Sequence, residues 1–108
     1  MANTFKNATL KANTSGSLDT IYTTPSATTS LVHALYVSNT GSETLKVDLK
    51  MLDASAATTS SLITDGVVLP GSTLVWDKPI NLEASDSLRI SPNKNTSTEV
   101  IASVLQMT

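Results

Sequence analysis

Few side chains in this sequence could carry out chemistry, and the first of them is the only histidine, His33. A histidine acts as a general base or metal ligand only when a nucleophile, an orienting acid or further ligands lie within reach. His33 stands between Val32 and Ala34 in an apolar run, without such a pattern around it. The absence of cysteine also excludes a thiolate metal site. We therefore predict a packed or interface histidine, no cofactor, and a protein that is not an enzyme.

Paired carboxylates are the second possible source of chemistry, because glycosidases and calcium sites both use them. No D-x-D-x-D-G calcium loop occurs in the sequence. Aromatic platforms of the kind that bind sugars do not accompany the acidic residues. We therefore predict that these carboxylates cap strand ends and turns. The residues concerned are Asp48, Asp53, Asp65, Asp77, Glu83 and Asp86.

The single tryptophan, Trp76, is the third candidate, in the segment LVWDKP. Tryptophan is frequent at interface hot spots and can stack on sugars. The alternative is a partly buried aromatic side chain at the end of a strand. The only other aromatic residues are Phe5, Tyr22 and Tyr36, which are few for a carbohydrate platform.

Composition narrows the classes of function further. At 108 residues the chain has the size of one domain. Its net charge is -2, and the seven Lys and Arg residues are scattered, so no positive face for nucleic acid is predicted. No apolar run approaches the ~20 residues of a membrane helix, and the N-terminus lacks the features of a signal peptide. Close to a third of the residues are Ser or Thr, which suits either contact with other proteins or simply a Thr-rich composition.

The elements that must position these side chains are strands, because apolar residues alternate and turn residues interrupt them. The clearest strand has Leu45, Val47, Leu49 and Met51 on one face and polar residues on the other. We predict about eight strands. They are Asn7–Ala12, Asp19–Thr24, Leu31–Ser38, Thr44–Leu52, Leu62–Thr64, Thr73–Asp77, Ser87–Ser91 and Glu99–Met107.

Three further expectations concern the organisation of these strands. Leu31–Ser38 is apolar on both faces, which is typical of a central strand buried on two sides. Asp53–Ser61 is poor in large apolar residues and is predicted to be a flexible loop. The predicted fold is an all-β antiparallel sandwich, jelly-roll-like or immunoglobulin-like. Residues 1–13 form an N-terminal arm and a weak first strand, and residues 14–108 form the sandwich.

Four segments carry a resemblance to a known group of proteins. They are Leu18–Pro25 (LDTIYTTP), the alternating run Leu31–Thr40, Leu69–Leu74 (LPGSTL) and Leu82–Ile90 (LEASDSLRI). Their order resembles small virion proteins of tailed bacteriophages, especially short-tailed phages of cyanobacteria and other marine bacteria. The resemblance covers about Leu18 to Leu105. Where such proteins have Gly before the Asp of the last segment, this chain has Ser85.

The resemblance implies a non-catalytic structural role in a virion. We expect a capsid decoration, or cement, protein that bridges neighbouring shell subunits and is itself a homo-oligomer, a dimer or a trimer. Its partners would be the major capsid protein or other virion proteins, with no nucleic acid and no membrane. The alternatives are a neck, tail or fibre-associated virion protein, and a carbohydrate-binding module that uses Trp76 and Tyr36.

An N-terminal arm can add a strand to a neighbouring protein, and a polar loop can contact one. We therefore predict contacts between chains through the arm and the loop Asp53–Ser61, with Trp76 as a possible anchor. The predicted interface residues are Met1, Ala2, Asn3, Thr4, Phe5, Lys6, Ala54, Ser55, Ala56, Ala57, Thr58 and Trp76.

Overall fold

The computed structural model describes residues 3–11, 18–93 and 98–108. The regular structure within these residues consists of nine strands and includes no helix. The strands are β1 (Asn3–Lys11), β2 (Asp19–Thr23), β3 (Thr29–Asn39), β4 (Leu45–Asp53), β5 (Thr58–Val68), β6 (Thr73–Trp76), β7 (Ile80–Leu82), β8 (Ser87–Pro92) and β9 (Thr98–Met107).

The strands form two antiparallel sheets that pack face to face, so the predicted antiparallel sandwich is confirmed. The five-stranded sheet has the order β1-β9-β3-β6, and β7 also pairs with β3. The four-stranded sheet has the order β2-β8-β4-β5. If β6 and β7 are taken as the two halves of one interrupted strand, this is the strand order of a jelly roll. Of the two sandwich types expected, the topology therefore agrees with the jelly roll.

The core lies between the sheets and is built from alternate residues of each strand. In β4, Leu45, Val47 and Leu49 are buried as predicted, while Met51 is half-buried near the strand end. The buried Tyr22 hydroxyl lies 2.8 Å from Ser30 Oγ, and Gln106 Nε2 donates to it at 2.7 Å. Tyr22 belongs to one sheet and its two partners to the other, so this polar network joins the two layers.

Strand β3 is central, as predicted, but only one of its faces is buried. His33 forms a β-bulge, at which the pairing with β9 shifts by one residue between Val32 and Ala34. The shift keeps both Val32 and Leu35 in the core, and it leaves His33 exposed on the outer face. The prediction of burial on two sides was wrong, because the other face of this apolar strand has no second layer over it among the described residues.

Strand β1 begins at Asn3, four residues earlier than predicted, and all nine of its residues pair with β9. The segment Asn3–Lys6, which was expected to be part of an arm, is therefore the first half of an edge strand of the sandwich. Met1, Ala2 and the predicted boundary after residue 13 lie outside the described residues.

Strand β5 takes up Thr58–Ser61, the last four residues of the predicted flexible loop. A four-residue turn, Ala54–Ala57, joins β4 to β5, and the strand then continues to Val68. Asp65 and Gly66 lie at an irregularity within β5. Asp65 has φ 52°, and its backbone N–H donates to Asp48 Oδ1 at 2.8 Å. A carboxylate on the neighbouring strand thus stabilises a conformation that most residues avoid.

Two short turns frame the short strands. The Leu69–Ser72 turn has Pro at its second position and Gly71 (φ 73°) at its third, and the Ser72 N–H donates to the Leu69 carbonyl at 3.0 Å. The Glu83–Asp86 turn has the same hydrogen bond, but Ser85 occupies the third position with φ 71°. Between the two turns lies β7, which the sequence analysis did not predict, because it has three residues and follows Asp77-Lys78-Pro79.

Candidate interaction face

The three carboxylates that come closest together are those of Asp53, Glu83 and Asp86, whose oxygens lie within 4.8 Å of one another. The Asp86 carboxylate is buried, and both of its oxygens accept backbone N–H groups. Ala54 N–H donates to Oδ1 and Glu83 N–H to Oδ2, each at 2.9 Å. Asp86 therefore joins the β4–β5 turn to the β7–β8 turn. Turn capping is confirmed for Asp53 and Asp86, whereas Asp48 lies within β4 and binds the irregularity in β5.

His33 contacts an aromatic ring on the outer face of the five-stranded sheet. Its imidazole stacks on Phe5, with 6.1 Å between ring centroids and 29° between ring planes. The small side chain of Ser103, on the intervening strand β9, leaves room for the two rings to meet. The described residues that line the depression beside them include no carboxylate. His33 is packed as predicted, but on an exposed surface and not in a buried one.

Trp76 and Tyr36 point to opposite sides of the same sheet, so they do not form one sugar-binding platform. Trp76 pairs with the buried Leu35 and packs against the core from the end of β6. Tyr36 is the next residue along β3, pairs with Val75, and faces outward. Among the described atoms, Trp76 Nε1 is buried without a hydrogen-bond partner. The structure thus supports the partly buried strand-end position for Trp76 and contradicts the two-residue platform.

The outer side of the five-stranded sheet carries a continuous surface, which we call the apolar face. The pairing registers arrange its side chains in three rows that cross the strands. The first row contains Phe5, Leu105 and Leu31; the second contains Asn7, Ser103 and Ala34; the third contains Thr9, Ile101, Tyr36 and Val75.

Much of the apolar face is accessible to solvent. Phe5 is 79% exposed, Val75 51%, Ile101 46% and Tyr36 37%. Ile101, Tyr36 and Val75 are neighbours in the third row, and Phe5 lies in the first row, beyond the small residues of the second. Exposed apolar side chains that lie next to one another are a feature of interaction surfaces, so this face is the candidate interaction face.

No charged side chain occurs in the three rows of the apolar face. Charged residues border the rows: Lys6 is among the residues that line the depression at the second row. Lys11 and Glu99 form the next row, with Nζ and Oε1 3.8 Å apart. Ser38 and Thr73 continue that row, with hydroxyl oxygens 3.0 Å apart. The apolar face therefore ends, on this side, in a polar row whose two charges cancel.

Two shallow depressions give the apolar face its relief. One, of about 200 Å³, lies at the small residues of the second row, beside Ser103 and His33. The other, of about 360 Å³, lies between Ile101 and the Lys11–Glu99 pair. The row that contains Ile101 and Tyr36 thus stands as a ridge between two grooves.

The predicted contact segments do not form one surface. Asn3–Lys6 lies in β1, which packs near β2 at one lateral edge of the sandwich. The exposed turn Ala54–Ala57 and the exposed Thr58 belong to the hairpin of β5, which lies near β6 at the opposite edge. Of the predicted residues that the structure describes, Phe5 alone lies in the rows of the apolar face.

Sequence reasoning missed the apolar face as a site, although its signal was present. Both β3 and β9 carry apolar residues on both faces, as Leu31–Tyr36 and Val100–Leu105 show. For Leu31–Ser38 we predicted burial on both sides, which is the usual explanation of such a run. The structure shows that the same pattern arises when one of the two apolar faces remains open.

No protein-family model matches the chain, and neither a curated protein nor a solved structure does. No helix in the described part of the chain is long and apolar enough to cross a membrane.

Proposed function

We propose that this protein is a non-catalytic structural component of a virus particle, a capsid decoration protein that bridges neighbouring shell subunits. The observation that carries the proposal is the order of the four motifs between Leu18 and Ile90, which resembles that of small phage virion proteins. Its partners would be the major capsid protein or other virion proteins.

The surface of the molecule supports a role in assembly. It presents a connected apolar face, and only 15% of the residues are charged. A decoration protein binds a repeating lattice, where several weak contacts act together through high effective concentration. Large charged or deeply enclosed sites are not needed for that task. The fold alone does not select this function, because viral capsid domains and lectins both use jelly rolls.

The copy number per particle tests the proposal directly. Purified virions that contain the protein would be analysed by quantitative mass spectrometry against the major capsid protein as internal standard. We expect hundreds of copies per particle. A dozen or fewer copies would indicate the neck, tail or fibre position, and absence from purified virions would overturn the virion role.

The predicted contacts of Asn3–Lys6 and Ala54–Thr58 are tested by occupancy on the particle. Deleting residues 1–6 would also remove the first half of β1, so a point variant separates contact from folding. Phe5→Ser changes an exposed side chain and is expected to lower occupancy. Unchanged occupancy in both Phe5→Ser and a variant of the Ala54–Ala57 turn would contradict these contacts.

A further inference from the structure

We propose that the apolar face is a self-association surface, on which a second copy of this chain packs sheet against sheet. The proposal does not depend on the virion role, because it rests on the size, charge and relief of this face alone.

The size of the apolar face, together with the polar row beside it, approaches that of a dimer interface. Strands spaced about 4.8 Å apart and rising about 3.3 Å per residue give each outward residue about 30 Å² of outline. The ten residues of the three rows therefore cover about 320 Å², and the four residues of the polar row bring the outline to about 450 Å². The accessible surface is larger than the outline, because side chains project from it. Specific interfaces bury about 600 Å² or more on each partner, so this surface supplies an interface at the lower end of that range.

The charge of the apolar face suits contact with itself. In a two-fold dimer each patch meets an identical patch, so a surplus of one charge would repel its own copy. The three rows contain no charged residue, Lys11 and Glu99 beside them cancel each other, and Lys6 of β1 borders one of the two depressions. A strongly charged partner would meet no opposite charge on the three rows. An identical uncharged face would meet an apolar surface like its own.

The relief of the apolar face is also self-complementary. The ridge with Ile101 and Tyr36 adjoins the row of small residues with Ser103 and Ala34. A two-fold axis can lie in the interface plane, parallel to the rows and midway between these two. It places each ridge opposite the other copy's groove, and the first row opposite the polar row, whose two charges cancel. Sheets that pack in this way lie about 10 Å apart, as the layers of a sandwich do.

Sedimentation of the full chain over a concentration series tests the proposal. We expect a monomer–dimer equilibrium with a micromolar or tighter dissociation constant, as interfaces of this size give. Ile101→Lys places a charge on the ridge and should raise that constant by at least about 30-fold, the effect of losing an interface hot spot. The matched control is Val67→Lys. Like Ile101, Val67 is a β-branched strand residue with an exposed side chain, and it is 53% exposed. It should leave the constant unchanged.

A second pair of variants guards against a folding defect. Ser103→Arg fills the groove of the apolar face and should also abolish dimers. Its control, Ser91→Arg, alters a half-buried serine on the outward side of β8 and should not. Circular dichroism melts establish that each variant is folded.

Three outcomes would overturn the proposal. They are a wild-type monomer up to the highest soluble concentration, equal weakening by Val67→Lys and Ile101→Lys, and assemblies larger than a dimer. If the apolar face captures another macromolecule while the chain itself stays monomeric, that result counts as the first of these outcomes. Because copy number on virions is measured separately, failure here leaves the proposed virion role untouched, and failure there leaves this proposal untouched.

Discussion

The two outer faces of the sandwich differ sharply in chemistry although they cover the same core. The outer side of the four-stranded sheet carries Lys46, Asp48, Lys50 and Arg89 on β4 and β8. The apolar face of the five-stranded sheet has no charge in its three rows. A solvent-exposed sheet normally alternates apolar residues inward with polar residues outward. The four-stranded sheet follows that rule and the five-stranded sheet departs from it.

The difference teaches that stability does not require the apolar face. On the four-stranded side, polar groups have structural partners: Asp48 fixes the bulge at Asp65, and Asn93 Oδ1 accepts the Lys46 N–H at 2.9 Å. On the other side, Ile101 and Val75 remain about half exposed and contribute little to the core. The dimer contact that we propose would account for their presence, and the comparison can be tested at three points.

The largest expected effect separates the two faces of one strand. Leu35→Ala empties a fully buried position of β3 and should lower the free energy of unfolding by about 3 kcal/mol. Tyr36→Ala, one residue further on the apolar face, should lower it by less than about 1 kcal/mol. Urea denaturation at low protein concentration measures both. A loss at Tyr36 as large as that at Leu35 would mean that the monomer itself depends on the apolar face.

An intermediate effect is expected on the polar side of the molecule, at Asp86. Asp86→Asn removes one of the two acceptors that hold the β4–β5 and β7–β8 turns together, so unfolding should become easier by about 2 kcal/mol. Asp53→Asn, in the same acidic group but half-buried, is the control and should cost less. Thermal unfolding of both variants, at equal ionic strength, checks the order. Equal losses would show that the group acts as one unit.

The smallest effect is expected at the charged end of the apolar face. The Lys11–Glu99 pair is exposed, and such pairs contribute at most about 1 kcal/mol. Glu99→Gln should therefore change the free energy of unfolding by less than about 0.5 kcal/mol, with little dependence on salt. Urea titrations at low and high salt would measure it. A larger loss would make these charges structural, like those of the four-stranded side.

Sequence alone was sufficient for the fold class where local pattern and tertiary burial agree. Alternation in β4 located its core face correctly, and Pro70-Gly71 located a turn that needs a positive φ. It was insufficient where pairing decides the outcome. Asn3–Lys6, apart from Phe5, and Thr58–Ser61 are polar, and their patterns alone do not predict strands. Backbone bonding to β9 and β4 extends the strands through them.

The candidate site was less predictable than the fold. Whether an apolar strand face is covered depends on how many layers the chain builds. The number of layers cannot be predicted from the composition of β3 and β9 or from the spacing of their apolar residues. The β-bulge at His33 had no signal either, because it changes register only relative to a partner strand. The pairing of Phe5 with His33 likewise joins strands that are distant in sequence.

The interruption of one sheet edge has a consequence for growth into fibres. One edge of the five-stranded sheet is the continuous strand β1, while the other is divided between β6 and β7 by Asp77-Lys78-Pro79. Proline has no N–H to donate, and short divided strands are poor templates for an incoming chain. A polymer lengthens without limit only if every added unit offers a fresh end for the next. In this molecule the second edge is the divided pair β6 and β7, so we expect edge-to-edge addition through this sheet to stop after one step.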